Sequence, residues 1–335
     1  MIFSKLFRSK IFWVLVIIIV GVWILSINFE GSKPIVYGVS FSRFHADELG
    51  LDWKKVYLAA LDDLKIRNFR FSAHWPLTEP AKGVFNFKEM DFQVQEAKKR
   101  NASVILAVGR RLPGWPECHT PSWAEKLTQD QRHEEILKYI TTVINRYKGY
   151  SNIKYWQVEN EPFLSFFSKE KCGELDNEFL KKEIELVRKL DPSRKIIVTD
   201  SGEFGTWYGA YKSGDVFGTS MYLYVWFKNL NLPFRYPITP GFFRIKHNLM
   251  NLIYGQKPSM VIELSAEPWL LQPIIETPMN VQMDRMGIDK FKNMIEFSKK
   301  TGFNEFYLWG MEWWYWLKNN GHPEFWSEAK KIYNY

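Results

Sequence analysis

Two carboxylates and an amide stand where chemistry could be done. The stretch KYWQVENEPF, residues 154–163, runs apolar side chains straight into Glu159, Asn160, Glu161 and Pro162. Asn and Pro alone could mean only a turn, but the preceding run reads as a buried strand that delivers its polar residues to one place. A second apolar run, SMVI, leads directly into Glu263, and the same segment offers Glu267 four residues on. Paired carboxylates suit acid/base and nucleophilic work, provided that their surroundings hold one protonated and the other ionised.

Such groups must be positioned by regular elements. Eight β-branched or aromatic runs read as strands: IVYGVSF from 35, NFRFSAHW from 68, SVILAVG from 103, IKYWQV from 153, KIIVTD from 195, DVFGTSMY from 215, SMVIEL from 259 and NEFYLWG from 304. Between most of them lie stretches of helical period with charged outer faces. They include WKKVYLAALDDLKIR, FKEMDFQVQEAKKR, RHEEILKYITTVINRYK, NEFLKKEIELVRKL and GIDKFKNMIEFSKK. The connections after the fifth and sixth strands are less regular, and PITPGFFRIKHNLMNLIYG reads as a short helix with a loop. Strands alternating with helices imply parallel pairing. Eight such units predict an α/β fold of the closed (β/α)8 type, a TIM barrel. An open doubly wound sheet would need a Gly-rich first turn, and GVSFSRFHADELG carries neither G-x-G-x-x-G nor a P-loop.

Barrel chemistry happens where the strands end. The predicted ends bring Ser40, Phe41 and Ser42 from the first strand, Arg70, His74 and Trp75 from the second, and Arg110, Arg111 and Trp115 from the third. The later strands add Asn160 and Glu161, Asp200 and Glu203, Tyr222, Glu263, and finally Trp309 with Glu312. Glu161 and Glu263, at the fourth and seventh ends, suit glycoside cleavage with retention. That reaction takes one acid and one nucleophilic carboxylate about 5–5.5 Å apart. Glu263 follows its apolar run directly, as a strand-end nucleophile should. Glu267 is the alternative, or a loop residue that bonds substrate.

Asn160-Glu161-Pro162 after a fourth strand, with a glutamate ending a seventh, resembles the clan A retaining glycoside hydrolases, a superfamily that includes cellulase-like family 5 enzymes. The segment HWPLTEPAKGVFNFKEMD, residues 74–91, adds to a resemblance spanning roughly residues 35–320. The resemblance implies that Glu161 is the acid/base, Glu263 the nucleophile and Asn160 the amide that bonds a sugar 2-hydroxyl. It further implies that Arg70 and Tyr222 orient the nucleophile and that Trp309 lies under the sugar. His74, Trp115 and Glu267 are candidate substrate contacts. The implied reaction needs no cofactor, and the implied partner is a β-linked glycan or oligosaccharide. The rival reading is a carbohydrate-binding barrel without hydrolysis.

Composition sets further limits. Aromatic content is 17%, with 15 Trp and 16 Tyr, more than a core needs and suited to a cleft of flat rings. The six His are isolated and show no H-E-x-x-H, so no metal site is visible. The net charge of +8 comes without a basic block interleaved with aromatics, which speaks against nucleic acid. Cys118 and Cys172 fall on neighbouring loops of one barrel face and are expected to pair.

Residues 11–29, IFWVLVIIIVGVWILSINF, hold no charge and follow Lys5, Arg8 and Lys10. They are read as a single-pass membrane anchor, with residues 1–10 a short cytoplasmic basic tail and 30–335 the catalytic domain on the extracytoplasmic side. A cleavable signal peptide is the competing reading. Composition leaves the oligomeric state open.

Overall fold

The computed structural model describes residues 10–29, 31–164, 169–227 and 232–333. All eight predicted strands are present: β1 (Val36–Ser40), β2 (Asn68–Ser72), β3 (Ser103–Val108), β4 (Ile153–Val158), β5 (Ile196–Asp200), β6 (Val216–Met221), β9 (Ser259–Ser265) and β10 (Glu305–Trp309). They pair in parallel, each with its neighbour, and β1 hydrogen-bonds both β2 and β10. The sheet is therefore a closed eight-stranded barrel, consistent with a (β/α)8 fold and not with an open doubly wound sheet. The irregular region after the sixth strand holds an antiparallel hairpin, β7 (Tyr224–Phe227) with β8 (Leu232–Arg235), which sequence reading did not foresee. The predicted short helix there runs 15 residues, Pro240–Tyr254.

Strand alternation sorts side chains between two cores. On β2, Phe69 and Phe71 pack outward against Tyr57, with ring centroids 5.2 and 5.5 Å apart. Arg70 between them turns into the barrel. The floor of the barrel is a small apolar layer of Ile105, Ile197, Val216, Met260, Ile262 and Tyr307. The strand ends above that plug carry the polar candidates, while Glu305 meets Lys154 and the Tyr307 hydroxyl at the strand starts. Three of the surrounding helices start on side-chain caps, Asp52 before Trp53–Asp62, Thr128 before Gln129–Tyr147 and Asp176 before Asn177–Leu190. These caps satisfy backbone N–H groups that the first helical turn leaves open.

The membrane anchor is not borne out. Among the described residues the apolar run forms the 16-residue helix Lys10–Leu25, about 24 Å at ~1.5 Å per residue. A bilayer core measures roughly 30 Å. Past Leu25 the chain turns, because the Ser26 hydroxyl donates to the Trp23 carbonyl and Asn248 Nδ2 donates to the carbonyls of Leu25 and Ile27. Among the described residues no helix is long and apolar enough to cross a membrane. The single-pass reading and the extracytoplasmic placement built on it fall together. Residues 1–9 of the predicted basic tail lie outside the described residues.

Cys118 and Cys172 are joined, as expected, with Cα atoms 5.3 Å apart. The bond ties the loop after β3 to the loop after β4 across a sequence separation of 54. Closing a loop of that size limits the unfolded chain by up to about 4 kcal/mol. Thermal unfolding with and without reductant should therefore show a clear drop in midpoint on reduction, reproduced by Cys118→Ser. An unchanged midpoint would mean that the bond contributes nothing to stability.

Candidate active site

The site is built around a buried guanidinium. Arg70 is 1% exposed, and its Nη1 donates to Glu263 Oε1 at 2.6 Å. Nη2 donates to Asn160 Oδ1 at 2.6 Å, Nε to Gln157 Oε1 at 2.8 Å, and Nη1 reaches Ser40 Oγ at 3.4 Å. One residue on β2 thus fixes groups from β1, β4 and β9. Tyr222, just past β6, donates its hydroxyl to the other oxygen, Glu263 Oε2, at 2.9 Å. Glu263 consequently sits between a cation and a phenol. Burial, with Glu263 beside it, holds the Tyr222 proton well above its usual range, so it remains a donor.

Glu263 owes its aim to an irregular strand. Met260 and Ile262 face the barrel interior, so strict alternation would send residue 263 outward. Instead the pairing of β6 with β9 jumps from Thr219↔Val261 to Ser220↔Glu263, and the β10 pairing shifts over the same stretch. The extra residue is a β-bulge, a device that re-aims a side chain. It turns Glu263 inward to Arg70. Glu267 goes elsewhere: it accepts from Trp309 Nε1 at 2.6 Å and meets His45 Nε2 at 2.7 Å. Burial opposes a charge on His45, yet the Glu267 carboxylate overrides it and holds the imidazole well above its usual pKa.

The fourth strand ends in strained backbone. Glu159 and Glu161 both have positive φ, 56° and 44°, with Asn160 between them. Non-glycine residues there cost on the order of 1–3 kcal/mol each and persist only where surroundings impose them. Here the imposition is visible. Glu159 accepts from the backbone N–H groups of Arg110 and Arg111, the Asn160 N–H donates to the Arg111 carbonyl, and the Glu161 N–H donates to Thr199 Oγ1 at 2.7 Å. Gly109 permits this: a Cβ on it would lie 2.4 Å from Glu159 Oε1. Glu159 thus points into the helix layer, against Glu183, and leaves the cleft to Glu161.

Glu161 is partly exposed, and its carboxyl is held well above the usual carboxylate range, first by burial and then by the charges of Glu263 and Glu117. Sequence reading missed Glu117. It accepts from Asn160 Nδ2 at 3.3 Å, lies 3.6 Å from Arg111 Nε, and is pushed up to about 7 by burial and by Glu263. Only its neighbour Cys118, in a predicted loop pair, hinted that this segment reaches the rim. Gln157 was also passed over, as an ordinary strand residue.

The remaining candidates spread outward. His74 is buried against Phe44 and His119, with ring centroids 4.6 Å away in both cases, and burial lowers its pKa. Its Nε2 is buried without a hydrogen-bond partner. Trp115 is 66% exposed at the rim, whereas Trp313 and Trp314 are wholly buried core. Glu203, pushed to about 7 by burial, accepts the Tyr222 N–H at 2.7 Å and so steadies that tyrosine.

Residues 58–211, 154 of the 335, match the family described as Glycosyl hydrolase family 10. Endo-1,4-beta-xylanase 2 of Claviceps purpurea is 30% identical over 133 residues, covering 38% of this chain and 39% of that protein. Endo-1,4-beta-xylanase A of Humicola insolens is 29% identical over 142 residues, covering 38% and 33%. The chain therefore matches well under half the length of these relatives. Xylanase 10B from Thermotoga maritima superposes with a TM-score of 0.52 at 15% identity, over 82% of each chain. GH5_18 from Bifidobacterium longum subsp. longum ATCC 55813 gives 0.57 at 14% identity, over 83% of this chain and 70% of that one. At these identities the likeness is one of fold. Arg70, Asn160 and Glu161 fall inside the family match; Tyr222, Glu263 and Trp309 fall outside it.

Removing the guanidinium leaves the Glu263 carboxylate buried and without its cation. Arg70→Ala should cost about 3–5 kcal/mol of stability, read by chemical denaturation. A loss below ~1 kcal/mol would mean that the carboxylate finds another partner.

Proposed function

We propose that this chain is a retaining glycoside hydrolase that cleaves a β-1,4-linked glycan of the xylan type by double displacement. One observation carries the reading: two glutamates share a cleft in opposite electrostatic settings. Glu263 accepts hydrogen bonds from a guanidinium and a phenol, one on each carboxylate oxygen, which fix its aim. Glu161 keeps its proton through burial and the nearby negative charges. The family match over residues 58–211 and the relatives named endo-1,4-beta-xylanases support the same reaction class and suggest the substrate.

In this mechanism Glu161 donates its proton to the departing glycosidic oxygen as Glu263 Oε attacks the anomeric carbon, and a glycosyl ester forms on Glu263. Glu161, now a carboxylate, takes a proton from water, which attacks the same carbon and frees Glu263. Forming the ester removes the charge on Glu263 that helped hold the proton on Glu161. The acid's pKa therefore falls when it must act as a base. Asn160, held by Arg70 and Glu117, is positioned to bond the sugar 2-hydroxyl, and Trp309, clamped by Glu267, offers its face to the ring.

Incubation with an activated 2-fluoro β-xyloside, followed by peptide mass spectrometry, should find a covalent sugar on Glu263 that Glu263→Gln lacks. A label on Glu267 would move the nucleophile. No label, with glycan binding that survives Glu161→Gln, would instead favour the binding barrel. On natural glycan, Glu161→Gln should lower kcat by roughly 10²–10⁴.

The pH profile tests Glu117. This group is charged above about pH 7, where its charge helps keep the proton on Glu161. Activity is lost as pH rises through the Glu161 pKa. Glu117→Gln lowers that pKa, so the alkaline limb of kcat/KM should move to lower pH. A limb that stays in place would uncouple the two residues.

A further inference from the structure

A groove of about 240 Å³ is lined by strands β7 and β8 of the hairpin, Trp269, Arg285 and Lys290. It adjoins the carboxylate cluster through one ring contact, Trp269 standing edge-on to Tyr222 with centroids 5.2 Å apart. Three cations converge on it. Arg235 faces Tyr224 across the hairpin and lies over its ring at 5.9 Å, Lys290 lies over the same ring at 5.5 Å, and Arg285 covers Trp226 at 4.0 Å. Tyr224 and Trp226 are two apart on β7 and so share a face.

None of the residues lining the groove is acidic. Among the described residues, the one carboxylate on these cations is Asp284, 3.1 Å from Arg285 Nη1 and 66% exposed. Arg285 Nε is buried without a hydrogen-bond partner. Lys290 Nζ donates to the Asp284 carbonyl, and Arg235 Nη1 reaches the Tyr236 carbonyl at 3.5 Å, so both are bonded to neutral acceptors. Positive charge therefore outweighs negative in a groove that Phe234 and Trp269 also line.

We propose that this groove is a subsite for an anionic sugar residue, a uronate whose carboxylate is taken by the arginine and lysine side chains, carried on the glycan that Glu161 and Glu263 cut. A forked guanidinium matches a carboxylate in two parallel bonds. The proposal rests on the glycosidase reading and adds to it a preference for acidic substrate. It also gives the hairpin, which the barrel does not need, a role in recognition.

The test uses the full chain with Glu263→Gln, so that substrate is bound but not consumed. Calorimetry compares a xylotetraose carrying one glucuronic acid branch with the methyl ester of the same sugar, equal in size but uncharged. The acid should bind about tenfold more tightly, as charge-assisted bonds would give. Lys290→Gln and Arg285→Gln should remove most of that advantage and leave the affinity for the ester unchanged. In chains with Glu263 intact, both variants should keep their kcat/KM on unbranched xylan. Should Arg285→Gln fail to fold, Arg235→Gln with Lys290→Gln carries the comparison. Equal affinity for acid and ester, or an advantage that survives the variants, overturns the subsite while hydrolysis of neutral xylan still stands. If neither sugar binds and the intact chain cuts neither, the glycosidase reading itself fails and the subsite with it.

Discussion

A single buried cation organises the upper half of this barrel. Arg70 is taken out of water by the barrel wall, and a guanidinium cannot shed its charge at any ordinary pH. Its donors must be met from within. Ser40, Gln157, Asn160 and Glu263 meet them, from strands that are not neighbours in sequence. Any element that moves relative to Arg70 breaks a charge-assisted bond in a region of low dielectric, where such bonds are strongest. Stability and alignment of the reacting groups therefore rest on the same contacts.

Around that centre the backbone departs from regularity at the three glutamates Glu159, Glu161 and Glu263. The bulge on β9 turns Glu263 inward, and the left-handed residues Glu159 and Glu161 send one carboxyl to the helices and the other to the cleft. Each departure is held by hydrogen bonds from an adjacent strand or loop. The loop after β3 supplies most of them at β4 and carries Glu117, next to the cysteine that fastens it to the following loop. Rigid placement of Glu117 matters because its charge and that of Glu263 together keep the proton on Glu161.

The shape of the fold was largely legible in the sequence. Periodicity located all eight barrel strands and five of the main helices, because alternation and helical spacing report directly on which faces are buried. The Asn160-Glu161 pair and Glu263 stood out because polar residues directly follow apolar runs. Glu117 did not, since the loop that holds it has no period to read and reaches the cleft only through its cross-link. The hairpin after β6 was missed for a similar reason: its pairing is local and its strands are four residues long. The N-terminal apolar run was over-read. Hydropathy counts residues, but the helix it forms ends where Ser26 turns back onto the backbone.

By itself, then, the sequence determined the strand and helix order and the closed parallel topology, and it narrowed the candidate carboxylates to Glu161 with Glu263 or Glu267, since these follow from patterns within short windows. The tertiary structure alone decided which of Glu263 and Glu267 meets Arg70, because that choice turns on a one-residue bulge set by pairing with β6 and β10. It also decided that Glu117 joins Asn160 and that three cations gather on one hairpin face. Such juxtapositions arise from long-range packing between segments whose local sequences carry no mark of one another.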